Sequence, residues 1–325
     1  MSSVSQSITC QYSGESYRIE RLDNCDEQQQ MVALAMLLTG KNNTDDPAVH
    51  QFIHFTRCQQ LALDNLWAMY PQQQAGNGAA LVASLLLIRS AGRTAMLFVS
   101  PPHGLAKVDL IASFIQAVCT AQNPDQIRLI QTLLDMDQYL IKKVLVQAGF
   151  QHLATLQYMR GRSIDQSVPL TLENEQWRIL HYYHENHDAF ARVILASYEQ
   201  TMDCPGLVGK RQIDDIIAGH MSTGRFDPAL WFAIYHEQSP AGVMLINEVS
   251  HQKAHELVYL GLARPYRGRG LAEQLLRHGL SIIAERGSTE MLLAVDHDNK
   301  PAVRLYQSLS FQATVRKHAM IFILE

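Results

Sequence analysis

An internal repeat constrains this fold more than any other feature. Displacing the 325-residue chain by 161 positions aligns its later parts without a gap. Leu110 falls on Leu271, Asp135 on Asp296, Phe150 on Phe311, Gln151 on Gln312 and Met159 on Met320. Identities are few, but the hydrophobic periodicities stay in register for about 70 residues, which points to one supersecondary plan used twice. In the second copy, Trp177–Tyr183 alternates as a strand and His187–Gln200 has helical spacing of apolar residues. Arg211–Met221 reads as a second helix. Strands follow at Leu230–His236, Ala241–Val249 and His255–Leu262, then an amphipathic helix at Leu271–Arg286. A strand at Glu290–Val295, a helix at Pro301–Ser308 and a terminal strand region at Phe311–Leu324 complete it. In the first copy, helices are expected around Asp26–Leu38 and Pro47–Leu63, and strands at Asn65–Tyr70, Ala80–Arg89 and Thr94–Ser100. Then come a helix at Val108–Ala121, a strand at Ile127–Leu134, a helix at Gln138–Ala148 and a strand from His152. The implied fold class is α/β: two tandem domains, 1–163 and 164–325, each a mixed, mostly antiparallel sheet flanked by helices. The polar segment Arg162–Gln176 is the expected boundary.

Composition narrows the partners. Lys plus Arg is 27 and Asp plus Glu is 31, a net charge of -4, so the broad basic surface of a nucleic-acid or polybasic membrane protein is not expected. The longest apolar stretch, Ala79–Ile88, is far short of the roughly 20 residues that span a bilayer. The opening residues show neither the charged nor the apolar region of a secretory signal, and the five scattered cysteines form no CxxC pair. A cytoplasmic protein with reduced thiols and no metal centre is the expectation. His181, His184 and His187 are spaced like ligands on a helix, but they straddle a strand end and no carboxylate or cysteine completes a set.

The segment Leu260–Ala272 (LGLARPYRGRGLA) leaves a strand, turns through two glycines and enters a helix. A helix start presents unpaired N–H groups and the positive end of the dipole, and glycines let an anion approach the backbone. A phosphate or diphosphate is the natural ligand. The dinucleotide fingerprint fails because Glu273 stands where its third glycine would be, and no Gly-Lys-Ser/Thr follows for a P-loop. On the turn alone, a tight connection with solvated arginines reads equally well.

Two motifs together decide between these. Arg267-Gly268-Arg269-Gly270-Leu271-Ala272 fits R-x-x-G-x-A, and Asn299 followed by Ala302, Leu305, Tyr306 and Phe311 fits N-x-x-A-x-x-L-Y-x-x-x-G-F. This resembles the GNAT superfamily of acyl-CoA-dependent N-acyltransferases, strongly over 175–325 and only by element order in the first copy, an outline similar to tandem two-domain members. Ser310 stands at the usual glycine and Pro265 lies one place later than the common proline.

The resemblance implies direct transfer of an acetyl group from acetyl-CoA to a primary amine, most simply that of a small molecule. The backbone N–H groups of Arg267, Gly268, Arg269, Gly270, Leu271 and Ala272 would hold the CoA diphosphate. Leu262 and Ala263 would pair with the pantetheine arm, and Asn299 would hydrogen-bond it. Tyr306 would be the general acid for the departing thiolate; without the motif it would read as a core aromatic. Glu256 resembles the base of the histone-acetylating branch, with Glu248 as rival and ordered water a third route. Strand alternation puts Glu256 on one face with Val258, Leu260 and Leu262. Tyr198–Gly209 borders the expected acceptor pocket, where Tyr198, Glu199 and Asp203 could face an amine.

In the repeat register Gly268 falls on Lys107, Gly270 on Asp109 and Tyr306 on Leu145. The first copy therefore lacks the glycines and the phenol, and its carboxylate would repel a diphosphate. A degenerate, non-catalytic domain is expected there. The alternative from another class is a non-catalytic acyl-CoA-binding regulatory module; acylation of a protein amine is a weaker third.

Overall fold

The computed structural model describes residues 7–23, 27–58, 61–72, 80–102, 107–162, 170, 176–250 and 252–324. Packing divides the chain into two compact units: Met1–His152 with Ala319–Glu325, and Leu153–His318.

The first unit opens with a hairpin that the hydrophobic pattern does not announce, β1 (Ser7–Tyr12) and β2 (Glu15–Arg21). Its strands are polar and half exposed. The readable signal is Ser13-Gly14, with φ of 51° and 82°, a two-residue turn whose left-handed centre suits a twisted hairpin. The chain continues through α1 (Glu27–Thr39), α2 (Pro47–Cys58), β3 (Leu66–Pro71), β4 (Ala83–Ser90), β5 (Thr94–Val99), α3 (Val108–Thr120), β6 (Leu129–Asp135) and α4 (Tyr139–Gln147). Strands β1 to β5 pair antiparallel in order; β6 then pairs parallel to β5 over Thr94–Met96 only. Trp67, Leu85, Phe114 and Leu145 are sealed in one core of this unit.

The second unit contains β7 (Gln151–Arg162) from Leu153 onward, β8 (Trp177–His181), α5 (His187–Ser197), α6 (Ile213–Met221), β9 (Trp231–His236) and β10 (Ser239–Glu248). It continues with β11 (Ala254–Leu262), α7 (Leu271–Glu285), β12 (Glu290–Asp296), α8 (Lys300–Ser308) and β13 (Gln312–Ile323) as far as His318. Strands β8, β9, β10 and β11 are antiparallel neighbours, β12 is parallel to β11, and β7 is antiparallel to β12. This is the mixed, mostly antiparallel sheet with helices that the sequence implies. The repeat places β7 at the end of the first copy, yet from Leu153 it packs in the second unit, while the chain's last residues pack in the first. Arg162–Gln176 lies mostly outside the described residues.

Alternation along β10 assigns the two faces of the second sheet. Met244 and Ile246 pack with Leu275, Leu276, Leu280 and Ile283 of α7. Val243 and Leu245 pack with Phe190, Val193 and Ile194 of α5 and Ile216 and Ile217 of α6. Each of those α7 side chains is at most 1% exposed, and burying one contributes about 1.5–3 kcal/mol. That anchorage fixes where α7 begins, and with it the glycine turn. Among the described residues no helix is long and apolar enough to cross a membrane.

Candidate active site

β11 and β12 pair only through Ala254–Leu257 and Glu290–Leu293. Beyond them the strands part, and the edge of β11 from Val258 to Leu262 that faces β12 carries no strand partner. The glycine turn closes the wide end of this opening. Gly268 and Gly270 have φ of 71° and 79°, and a Cβ at either would meet no atom within 4 Å. Gly270 caps α7 in the left-handed conformation. Among the described residues the N–H groups of Gly268, Arg269, Gly270, Leu271 and Ala272 have no acceptor, because the first helical bond at this end is made by Gln274 to Gly270 O. Five donors under open space, at the positive end of a helix, form an anion cradle.

Arg267, expected to offer its N–H to the ligand, bonds it to Arg264 O at 3.3 Å instead. Its guanidinium donates to the carbonyls of Leu262, Ser197, Glu199 and Gln200 at 2.8–3.1 Å. A cation on the last carbonyls of α5 complements that helix's dipole and ties it to the end of β11. Arg264 pairs with Glu199 on the surface, and Glu199 does not line the cavity beside Tyr198 and Asp203. Arg269 is exposed and pairs with no described residue. Ala263 donates its N–H to Ala241 O, and Asn299 accepts Ala302 N–H, which makes it the cap of α8.

Tyr306 owes its position to the way α8 ends. Phe311 N–H returns to Tyr306 O at 2.9 Å and Ser310 N–H to Gln307 O at 3.0 Å, with Ser310 at φ 65°. This is a Schellman end, and the accompanying ring contact joins Tyr306 to Phe311 at 5.7 Å. Ser310 therefore occupies a left-handed position, and the departure from glycine is a real conformational cost. The Tyr306 ring is buried among residues facing α7, and its hydroxyl has no hydrogen-bond partner among the described residues. Burial, with a smaller contribution from Asp203, pushes its pKa well up and holds the phenol protonated.

Asp203 approaches from the opposite face. Cys204, at φ 44°, donates its N–H to Asp296 Oδ2 at 3.3 Å, and Asp296 N–H reaches Asp203 Oδ1 at 3.4 Å. Asp296 ends β12 and is 5% exposed. It thus pins the α5–α6 connection to the opened sheet. Burial raises the Asp203 carboxyl pKa; the hydrogen bond from Asp296 N–H offsets part of this, and the Asp296 charge adds a smaller rise.

The expected face of Glu256 changes. The β10–β11 register slips so that Leu245 faces Tyr259 and Ile246 faces Leu257, leaving Val258 as the extra residue of a bulge. Val258 and Tyr259 both turn toward α5 and α6, whereas Leu257, Leu260 and Leu262 pack toward α7. Glu256 shares the α5 side with Val258 but not with Leu260 and Leu262. Its pKa is raised by burial. Glu248 is bound in an ion pair to Arg225.

The acetyltransferase (GNAT) family model matches residues 176–311. Residues 176–311 are a GNAT domain. The chain is also similar to a mycothiol acetyltransferase of Corynebacterium aurimucosum, 46% identical over 56 residues, 17% of this chain and 18% of the relative. One from Renibacterium salmoninarum is 30% identical over 132 residues, 40% of this chain and 33% of the relative. The matched segments thus span about a fifth to a third of those relatives' length. A GCN5-related N-acetyltransferase from Sphaerobacter thermophilus shares the fold at TM-score 0.55 and 15% identity, covering 94% of this chain and 95% of that one.

Sequence reasoning passed over three residues near the GNAT opening. Asp296 was visible as an identity of the repeat, paired with Asp135. Arg211 and His220 line a cavity beside Tyr198, Asp203 and Tyr259, and no local motif marks them. Tyr259 donates to Ser197 Oγ at 2.7 Å, since that hydroxyl gives its own proton to Ile194 O. This fastens the bulge to α5.

Proposed function

We propose that this protein is an N-acetyltransferase that uses acetyl-CoA and a small primary amine, with the domain 164–325 doing the chemistry and 1–163 as a non-catalytic scaffold. The cradle of free N–H groups at Gly268–Ala272, set at the mouth of the β11–β12 opening, carries the reading. Its donor set and the open space above both glycines suit a diphosphate. The edge of β11 beyond Leu257, which has no strand partner, suits an extended amide-bearing arm, whereas Leu262 O and Ala263 N–H are already held by Arg267 and Ala241. Acetyl-CoA would supply the acetyl group as a thioester.

The chain's residues have three tasks. The β11 edge would offer an N–H to the oxygen on which charge develops, in a site partly shielded from water. Tyr306, held protonated, would give its hydroxyl proton to the sulfur as the C–S bond breaks and the C–N bond forms. A carboxylate on the α5 side, Asp203 or Glu256, would take the proton that the amine sheds; both have raised pKa values suited to a base. Holding donor and amine on opposite sides of one opening supplies proximity.

Calorimetric titration of acetyl-CoA tests this first. One site per chain is expected. Gly270→Glu, which places a carboxylate in the cradle, should weaken binding at least 100-fold. Unchanged affinity in that variant, or two sites per chain, would remove the reading. Binding without thioester consumption across an amine screen would leave the regulatory module instead.

A further inference from the structure

The cavity between α6 and β11 is small and mostly apolar, with a few charged and polar side chains in its wall. Its volume is about 160 Å³, the liquid share of roughly five waters. Arg211 and Asp203 both line it and do not pair with each other: Arg211 donates to Asp215 O and Asp203 accepts from Asp296 N–H. The Tyr198 hydroxyl is pushed up to about 12 by burial, pulled down by Arg211 and raised by Asp203. Val258 and Tyr259, the two bulge residues, form the sheet side.

Two groups in this wall are left unsatisfied. Arg211 Nε is sealed from solvent without a hydrogen-bond partner, although the same guanidinium donates to Asp215 O at 2.9 Å. His220 Nε2 is sealed and unpartnered as well, its ring stacked on Tyr259 at 5.5 Å. Burial, with Arg211 adding to it, brings the His220 pKa down to about 4, so the imidazole is neutral at physiological pH. Buried polar atoms normally find partners, and two left without one beside a small cavity would gain them if a polar group entered it and these side chains turned toward it.

The charges say which ligand. A guanidinium recognises a carboxylate through paired N–H donors. Asp203 carries a carboxylate that can accept from an amine, and its contact with Asp296 N–H at 3.4 Å sets it beside the end of β12. We propose that this cavity binds a small zwitterion, an amine that also carries a carboxylate, with the carboxylate at Arg211 and the amine at Asp203. The inference builds on the transferase reading by naming the acceptor class. In that role the amine nitrogen, having passed its proton to Asp203, would attack the acetyl carbon.

The experiment uses the full chain and the common α-amino acids, each beside its carboxamide. Binding is followed by calorimetry with CoA present, and acetyl transfer by thiol release. At least one amino acid should bind and its carboxamide should bind at least about tenfold more weakly, the worth of a lost charge-assisted hydrogen bond. Arg211→Gln should abolish that discrimination, while Arg211→Lys retains part of it. The wild-type comparison needs no variant and survives any folding defect in Arg211→Gln. An amino acid that binds through Arg211 without transfer would sustain the zwitterion site and sink the transferase reading. Carboxamides acetylated as well as acids would do the reverse. No binding by any of the panel would overturn the cavity assignment.

Discussion

α4 and α8 end in the same way. In the first unit, Phe150 N–H returns to Leu145 O at 2.9 Å and Gly149 N–H to Val146 O at 3.1 Å, with Gly149 at φ 95°. In the second, Phe311 and Ser310 make the matching bonds to Tyr306 and Gln307. Each motif holds one side chain at the opening of a parallel strand pair, but that side chain is an aliphatic in one copy and a protonated phenol in the other. The helix starts differ in the same sense. Asp109, in the register of Gly270, puts a carboxylate on the first turn of α3, where it accepts from Gln147 Nε2 at 2.8 Å, whereas α7 has a glycine under open space at that position. Both copies keep the helix end, and the second carries a phenol where the first carries an aliphatic side chain.

Tyr306→Leu, which installs the residue of the first copy, attacks that contrast most strongly. Turnover should fall by about 10²–10⁴-fold, the usual contribution of a positioned acid, while acetyl-CoA affinity changes little. Tyr306→Phe should give most of the same loss with the ring contact to Phe311 intact. Full turnover in the phenylalanine variant would take the hydroxyl out of the mechanism.

The glycine turn was legible because its information is local: two glycines and a helix start within a few residues. The acceptor side was not, because its geometry depends on register. A single extra residue, Val258, reverses the face of everything after it, and no periodicity in HELVYLGL announces the slip. Arg267 illustrates a different limit. Its motif position was clear, but the carbonyls it clamps lie about 70 residues away at the end of α5. Arg211 and His220 converge on Asp203 only after α6 folds onto β11, and neither belongs to a recognisable pattern. The repeat likewise predicted element order well and misplaced β7, since repetition in sequence does not dictate which unit a strand joins.

Leu145 should behave as the inverse of Tyr306. It is fully buried in the core of the first unit. Leu145→Ala should lower stability by about 3 kcal/mol, from lost burial and the cavity left behind. The refolded variant should bind one equivalent of acetyl-CoA with unchanged affinity and turn over normally. Denaturant unfolding beside calorimetry reads both quantities. A drop in turnover per folded chain would give the first unit a part in catalysis and end its description as scaffold.

The smallest effect concerns a helix end where the second copy carries strain that the first avoids. Gly149 meets the left-handed requirement freely, whereas Ser310 meets it at φ 65° with a Cβ, which costs an L-residue about 1–2 kcal/mol. Glycine would remove that cost but lose roughly 0.5–1 kcal/mol through a more flexible unfolded chain. Ser310→Gly should therefore stabilise the protein by about 0.5 kcal/mol, a rise of roughly 1–2 °C in melting temperature for a domain of this size. Because the Schellman bonds run through the backbone, Tyr306 should stay in place and turnover should hold. A lower melting temperature would mean that the Ser310 side chain contributes a contact worth more than its strain, and the equivalence of the two helix ends would then be one of shape without being one of energy.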